Sequence, residues 1–171
     1  ISGAHSYVQS ANWMDRPRNW QEQVYDMDFV AEMDFRMVSG WGEEVHLLLC
    51  GQRDDRVYEV IFRGRGANDV IVNEYGGNGW VLNRPLGFPL LMNQPYHVSV
   101  VRVRDRMDVY LNSTWLGSAS TVTWLGGRMG LSTYYTETAF DNFRITPLSP
   151  GIFFERTFPA GTNVLDLIAT D

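Results

Sequence analysis

The chain has 171 residues, 44% of them hydrophobic and 13% aromatic, and carries 14 arginines, no lysine and 20 acidic residues for a formal net charge of −6. This length suits one domain of the larger all-β kind, and no apolar run approaches the roughly 20 residues that a membrane-spanning helix needs. The acidic balance argues against nucleic acid as a partner, because binding it requires a basic face that displaces counterions. The arginine-only basic set reads as a coding bias. The single cysteine, Cys50, excludes an intrachain disulfide; it closes the apolar run Leu47-Leu48-Leu49 and reads as a buried, inert thiol. The chain begins at Ile1 without an initiator Met or a signal peptide, as expected of a processed mature protein or a segment of a longer one.

From Met27 to Met37 the residues alternate regularly. Met27, Phe29, Ala31, Met33, Phe35 and Met37 share one face, while Asp28, Val30, Glu32, Asp34 and Arg36 take the other. Period 2 over this span predicts a strand with Met33 and Phe35 in the core and Glu32 and Asp34 outward. Further strands are predicted over 44–50, 56–63, 69–75, 96–104, 107–112, 128–133 and 138–146, with turns at Gly40-Trp41-Gly42, Arg53-Asp54-Asp55, Gly64-Arg65-Gly66, Gly76-Gly77-Asn78-Gly79 and Gly126-Gly127. No segment sustains a helical period, so a parallel βαβ architecture is excluded. Pro147-Leu148-Ser149-Pro150-Gly151 punctuates the end of this pattern, dividing a domain over 1–147 from a tail over 148–171.

The second half supplies a resemblance. Tyr96-His97-Val98-Ser99-Val100-Val101-Arg102 passes through a short polar turn into Met107-Asp108-Val109-Tyr110-Leu111-Asn112, followed by Gly130-Leu131 and then Ala139-Phe140-Asp141-Asn142-Phe143-Arg144-Ile145. This order resembles the closing half of the concanavalin A-like lectin and glucanase superfamily, most closely its laminin G-like and 3-keto-disaccharide hydrolase-like branches. The resemblance covers roughly residues 5–146 and implies an antiparallel jelly-roll β-sandwich with Phe140 buried. It also implies that the first long strand lies beside the last, which brings Arg144 within reach of Glu32 or Asp34.

Catalytic chemistry is tested first on that strand. Glu32-Met33-Asp34-Phe35-Arg36-Met37 looks like the start of the Glu-x-Asp-x-x-Glu pattern of laminarinase-type glucanases, but Met37 stands where the closing Glu belongs and Arg36 fills the alternative position. Hydrolysis needs both carboxylates, so the acidic stripe reads as a solvated face relieved by arginines of a neighbouring strand, and no catalytic residue is assigned. His5, His46 and His97 have no metal-ligand spacing, and a lone cysteine gives no structural zinc site. Asp54-Asp55 is the local candidate for calcium, but a turn capping two strands needs the same residues; no metal or cofactor is assigned. Asn112-Ser113-Thr114 fits the glycosylation pattern at a strand end, where many relatives have Asn-Gly.

The remaining chemistry is aromatic. Six Trp and eight Tyr exceed the needs of a core this size, and several stand beside glycines. A planar ring stacks on the apolar face of a pyranose while Asn and Arg bond its hydroxyls. Tyr75-Gly76-Gly77-Asn78-Gly79-Trp80 is the most site-like run, with Trp80 as platform and Tyr75, Asn78 and Trp41 beside it. The reading is a non-catalytic recognition module for a carbohydrate or glycosylated surface, outside the cytoplasm or at the cell surface. Two rivals stand beside it: an adhesive subunit of an extracellular assembly, and a glycosidase acting on oxidised disaccharides. The tail continues the apolar patterning through Ile152, Phe154, Phe158 and Val164-Leu165-Asp166-Leu167-Ile168, so it is expected to pack against the same chain near Tyr7 and Trp13 or along a sheet edge of a neighbour. Deleting residues 148–171 is therefore expected to lower the melting temperature of the monomer; unchanged stability with loss of an oligomer in light scattering would instead mark the tail as a donated strand.

Overall fold

The alternating pattern folds into antiparallel strands throughout. The computed structural model describes residues 7–10, 18–25, 28–121 and 123–148, in which the strands are β1 (Tyr7–Ser10), β2 (Arg18–Tyr25), β3 (Phe29–Arg53), β4 (Arg56–Arg63), β5 (Asp69–Tyr75), β6 (Gly79–Pro85), β7 (Tyr96–Val103), β8 (Arg106–Leu111), β9 (Thr114–Ser120) and β10 (Gly127–Pro147). Met27, Trp13 and the tail beyond Leu148 lie outside the described residues, and with them the packing expected of the tail.

Two strand expectations merge in each of the two longest elements. The runs predicted over 27–37 and 44–50 are one strand, β3, and those over 128–133 and 138–146 are one strand, β10. The turn expected at Gly40-Trp41-Gly42 is a bend within β3, because the chain stays paired to β10 on both sides of it: Ser39 faces Glu137, Gly40 faces Thr136 and Glu44 faces Tyr134. Gly40 takes φ +92° there, and a Cβ would crowd Tyr135 O at 3.0 Å. Tyr135 opposite also takes a left-handed φ of 52° where the β10 register shifts. A glycine on one strand and a bulge on the other thus bend the ribbon without breaking it.

The bend divides the ribbon between two layers. In the first sheet, residues 29–35 of β3 pair with β7, which continues through β8 to β9, while β1 flanks the second half of β10. In the second sheet, residues 44–53 of β3 pair with β4, then β5 and β6, while β2 flanks the first half of β10. The inner faces meet in one core. Phe29, Ala31, Met33, Phe35, Val98, Val100, Met107 and Val109 pack against Val45, Leu47, Tyr58, Val60, Phe62, Val70 and Val72. Phe35 lies 5.8 Å from Phe62 of the opposite layer and 5.3 Å from Tyr96, centroid to centroid. At the far edges β6 and β9 also meet, since a Cβ on Gly117 would stand 3.0 Å from Leu82. The result is an all-β, antiparallel jelly-roll sandwich.

The register agrees with the sequence reading: Met33, Phe35 and Phe140 are buried, while Glu32 and Asp34 face outward beside Arg144 and His97. Cys50 is buried, and burial pushes its thiol up to about 11. Asn112 and Ser113 take φ 48° and 64°, the two left-handed positions of a type I′ hairpin turn, so Asn-Ser serves where Asn-Gly is usual. Phe35→Ala should lower the unfolding free energy by about 3 to 5 kcal/mol in urea titration, the usual cost of deleting a buried ring; a cost below about 1 kcal/mol would contradict the register.

Candidate functional site

The two outer faces differ in kind. On the first sheet the strands alternate strictly, buried then half-buried, as for β7. On the second sheet almost every residue of β4 is buried on both faces. Among the buried outer-face residues are His46 and Leu48 of β3, Glu59 and Ile61 of β4 and Ile71 of β5.

Strand register explains how they come to be covered. One row across the second sheet runs Trp20, Gly130, Leu48, Glu59, Asn73 and Trp80, from β2 to β6. A second runs Arg18, Ser132, His46, Ile61, Ile71 and Asn83. Arg18 on β2 and Glu59 on β4 are three strand spacings apart, about 14 Å in a flat sheet. Yet Arg18 Nη2 donates to Glu59 Oε1 at 2.7 Å, and the guanidinium lies 5.2 Å from the centroid of Tyr75, one strand further on. The sheet therefore curls toward this face and makes it a trough. Trp20 fits against its wall because Gly130 and Gly51 offer no side chain: a Cβ at either would press into the indole.

Glu59 lies in the middle of the trough with a fully buried side chain. Its second oxygen, Oε2, accepts from Asn73 Nδ2 at 3.1 Å. Asn73 pairs in register with Trp80, whose ring is 59% exposed, and Tyr75 is 41% exposed on the same face. Beside them Arg63 donates to both oxygens of Asp69, at 2.7 and 2.5 Å, and its guanidinium stands 5.3 Å from the Trp80 centroid. The Asp69 carboxylate holds Arg63 above its ordinary pKa. Asn83 is exposed along the same edge strand. The open half of the trough thus combines two rings with amides and one tightly held ion pair.

The four residues singled out from sequence fall in different places. Trp80 and Tyr75 share the trough. Asn78 occupies the β5–β6 turn with its amide donated to the Glu74 carboxylate at 3.1 and 3.2 Å, so it serves the turn. Gly76 is required in that turn: at φ +83° a Cβ would collide with the Asp55 carbonyl of the neighbouring hairpin. Trp41 sits at the β3 bend under Arg65, 3.6 Å from its centroid, and Arg65 belongs to the β4–β5 turn at the opposite end of that hairpin from Tyr75. The structure does not bring Trp41 to the other three. Glu59, Asn73, Asn83, Arg18 and Arg63 were missed. A charged residue inside the apolar run Val57-Tyr58-Glu59-Val60-Ile61-Phe62 was the available signal.

The acidic stripe of the first sheet is an ion-paired face. Arg144 Nε donates to Glu32 Oε2 at 2.6 Å, His97 Nδ1 lies 2.6 Å from Asp34 Oδ1, and Asn142 Nδ2 donates to Asp34 Oδ2 at 2.6 Å. The Arg144 hydrogen bond, against some desolvation, holds Glu32 below its ordinary pKa. In the turn raised as a calcium candidate, Asp54 accepts from Trp20 Nε1 at 3.1 Å and Asp55 pairs with Arg53. Among the described residues no group of three His, Cys, Asp or Glu side chains is placed to hold a metal.

Neither a known sequence family nor a curated protein matches the chain. Solved structures do. The carbohydrate-binding module CBM66 from Bacillus subtilis superposes with a TM-score of 0.70 at 15% identity, covering 84% of this chain and 91% of that one. The galectin LEC-6 of Caenorhabditis elegans superposes at 0.57 with 14% identity, covering 84% and 99%. The GH43 protein BlXynB of Bacillus licheniformis superposes at 0.55 with 13% identity, covering 71% of this chain but 28% of that one. These likenesses establish the fold. It is an antiparallel β-sandwich of the kind these structures share.

A glutamate whose folded pKa is depressed stabilises the fold above its ordinary range, and that contribution is lost as the pH falls through the lowered value. Arg144→Gln should therefore lower the urea midpoint at pH 7 by more than at a pH well below the ordinary glutamate range, with the Glu32 carboxyl resonance titrating at higher pH than in the wild type. An equal effect at both pH values would show that Arg144 acts through packing rather than through Glu32.

Proposed function

We propose that this chain is a non-catalytic carbohydrate-recognition module that seats its ligand in the trough of the second sheet. The observation that carries the reading is the Trp80–Asn73–Glu59 row. An exposed indole stands in register with an amide, and that amide is oriented by a buried, ion-paired carboxylate. Asn73 gives Nδ2 to Glu59, which leaves its Oδ1 as an acceptor for a ligand hydroxyl. Trp80 supplies the apolar face on which a sugar ring stacks, and Tyr75 and Asn83 flank it. The buried Arg18–Glu59 pair is preorganisation: the polar groups are held before a ligand arrives.

Support for the ligand class comes from the company the fold keeps, since a carbohydrate-binding module and a galectin are among the structures it superposes on. A module of this kind acts on glycans displayed outside the cytoplasm, either free or on a cell surface. The hydrolytic alternative shares this support, since the GH43 protein and putative glycosyl hydrolases are also among the structures the fold superposes on, and it is the side chains that weigh against it. Among the described residues, the outward carboxylates of the first sheet are engaged by Arg144, His97 and Asn142, and Glu59 is closed off by Arg18 and Asn73. The adhesive-subunit alternative, with self-association through the tail over 148–171, rests on residues outside the described ones beyond Leu148.

A glycan array of the intact chain identifies the ligand, and calorimetry with that oligosaccharide then tests the site. Trp80→Ala should weaken binding by about 1 to 3 kcal/mol, roughly 5- to 150-fold, with an unchanged melting temperature. Undiminished affinity in a folded Trp80→Ala chain would move the site out of the trough.

A further inference from the structure

The outer face of the first sheet holds a second set of groups that the trough does not use. Its centre is the ladder Asn142, Asp34, His97, Glu32 and Arg144, which ties β10, β3 and β7 together. The β10 register shifts between Asp141 and Arg144, and Asn142 takes φ 51° within the shift, which turns its amide onto Asp34. Beside the ladder opens a cleft of about 360 Å³ lined by Asp34, Arg36, Asn93, Pro95, Ala139 and Asp141, with Phe35 and Phe140 behind it. That volume lies in the range of small-ligand sites, at its lower end.

The cleft is fixed rather than incidental. Its rim, the loop between β6 and β7, is pinned to β3 by the Asn93 N–H donating to Met37 O at 2.8 Å, and the Leu91 N–H donates to the Tyr96 hydroxyl at 2.8 Å. Ala139 faces Arg36 across the strand pair, so only a methyl group stands opposite the arginine. Asp34 has both oxygens engaged, Oδ1 by His97 and Oδ2 by Asn142. Two groups keep capacity for a ligand. Asp141 uses Oδ1 for the Asn142 N–H at 2.8 Å, leaving Oδ2, and Arg36 has no ion pair or hydrogen bond among the described residues.

We propose that this cleft is a second sugar site, independent of the trough and on the opposite sheet, that takes one uncharged ring through adjacent hydroxyls. Arg36 donates to one hydroxyl oxygen, and Asp141 accepts the proton of the next. The charge pattern selects a neutral ligand: an anion meets Asp34 and Asp141, and a cation meets Arg36. The choice of a sugar rests on the reading of the trough as a carbohydrate site; the cleft itself rests on its own geometry. A chain with both sites would bridge two glycans from opposite faces of one sandwich.

The test is amide chemical-shift mapping of the intact chain titrated separately with glucose, galactose and fructose. It is repeated on Trp80→Ala and on the double variant Arg36→Ala/Asp141→Asn, whose positions, exposed and half-buried on the outer face, spare the core. Saturable shifts at Arg36, Asn93 and Asp141 that persist in Trp80→Ala and vanish in the double variant are expected with at least one sugar. Shifts confined to Asn73, Trp80 and Asn83 would overturn the cleft and leave the trough standing. Shifts confined to the cleft would support it, and the trough would be judged by the array alone. Cleft shifts that survive the double variant, or no shifts with any of the three sugars, would overturn the cleft as a sugar site, and the trough would then be judged by the array alone.

Discussion

The pairing of β3 with β10 is the constraint on which the rest of the molecule depends. These two strands stay paired antiparallel from Phe29 opposite Pro147 to Gly51 opposite Arg128, across several register shifts and through the bend at Gly40, and so belong to both layers at once. The other strands pair with this ribbon directly or through a neighbour that does. The side chains of Phe35 and Leu47 both point into the core although they lie on opposite sides of the bend. A ribbon that broke at Gly40 would leave two sheets with no fixed relation. One that ran straight would leave the apolar faces of β4 and β7 uncovered.

The same ribbon makes the trough. Because β10 carries β2 on its free side, Arg18 and Trp20 are delivered to the edge of the second sheet, and the small residues Gly130 and Gly51 let Trp20 lie close to the sheet. A buried carboxylate is costly unless it is paired and hydrogen-bonded, and Glu59 has both an arginine from β2 and an amide from β5. Breaking such a pair by removing one partner is more damaging than replacing both, so Glu59 couples the conformation of the trough to stability. The trough is in this sense part of the fold's architecture, whereas the ion-paired stripe of Glu32, Asp34, His97 and Arg144 lies on a solvated face.

What was legible in the sequence follows from these environments. The first sheet has one buried and one solvated face, so 27–37 and 96–104 alternate and the register of the former could be read directly, as could the neighbourhood of Arg144 and Glu32 through the family resemblance. The second sheet buries both faces of β4, which removes alternation from Val57 to Phe62 and hides the fact that Glu59 and Ile61 face the trough. The bend in β3 was read as a turn because Gly40-Trp41-Gly42 has turn composition; that the chain stays paired through it depends on a partner nearly a hundred residues away. Trp80 and Tyr75 were singled out because large rings beside glycines are conspicuous, and Trp41 was grouped with them for the same reason. Separating them needed the knowledge that the β4–β5 hairpin places Arg65 and Tyr75 at opposite ends. Asn73, a modest polar residue inside a strand, had no local signal at all.

The central claim is that a glycan lies in the trough against Trp80, and a crystal structure of the chain soaked with the oligosaccharide selected on the array tests it most directly. The account requires a sugar ring stacked on the Trp80 indole with a hydroxyl donated to Asn73 Oδ1, and the Arg18–Glu59 pair intact beneath it. A ligand bound with good occupancy at the β3 bend near Trp41 or on the β8–β9 hairpin, with the trough empty, would contradict it.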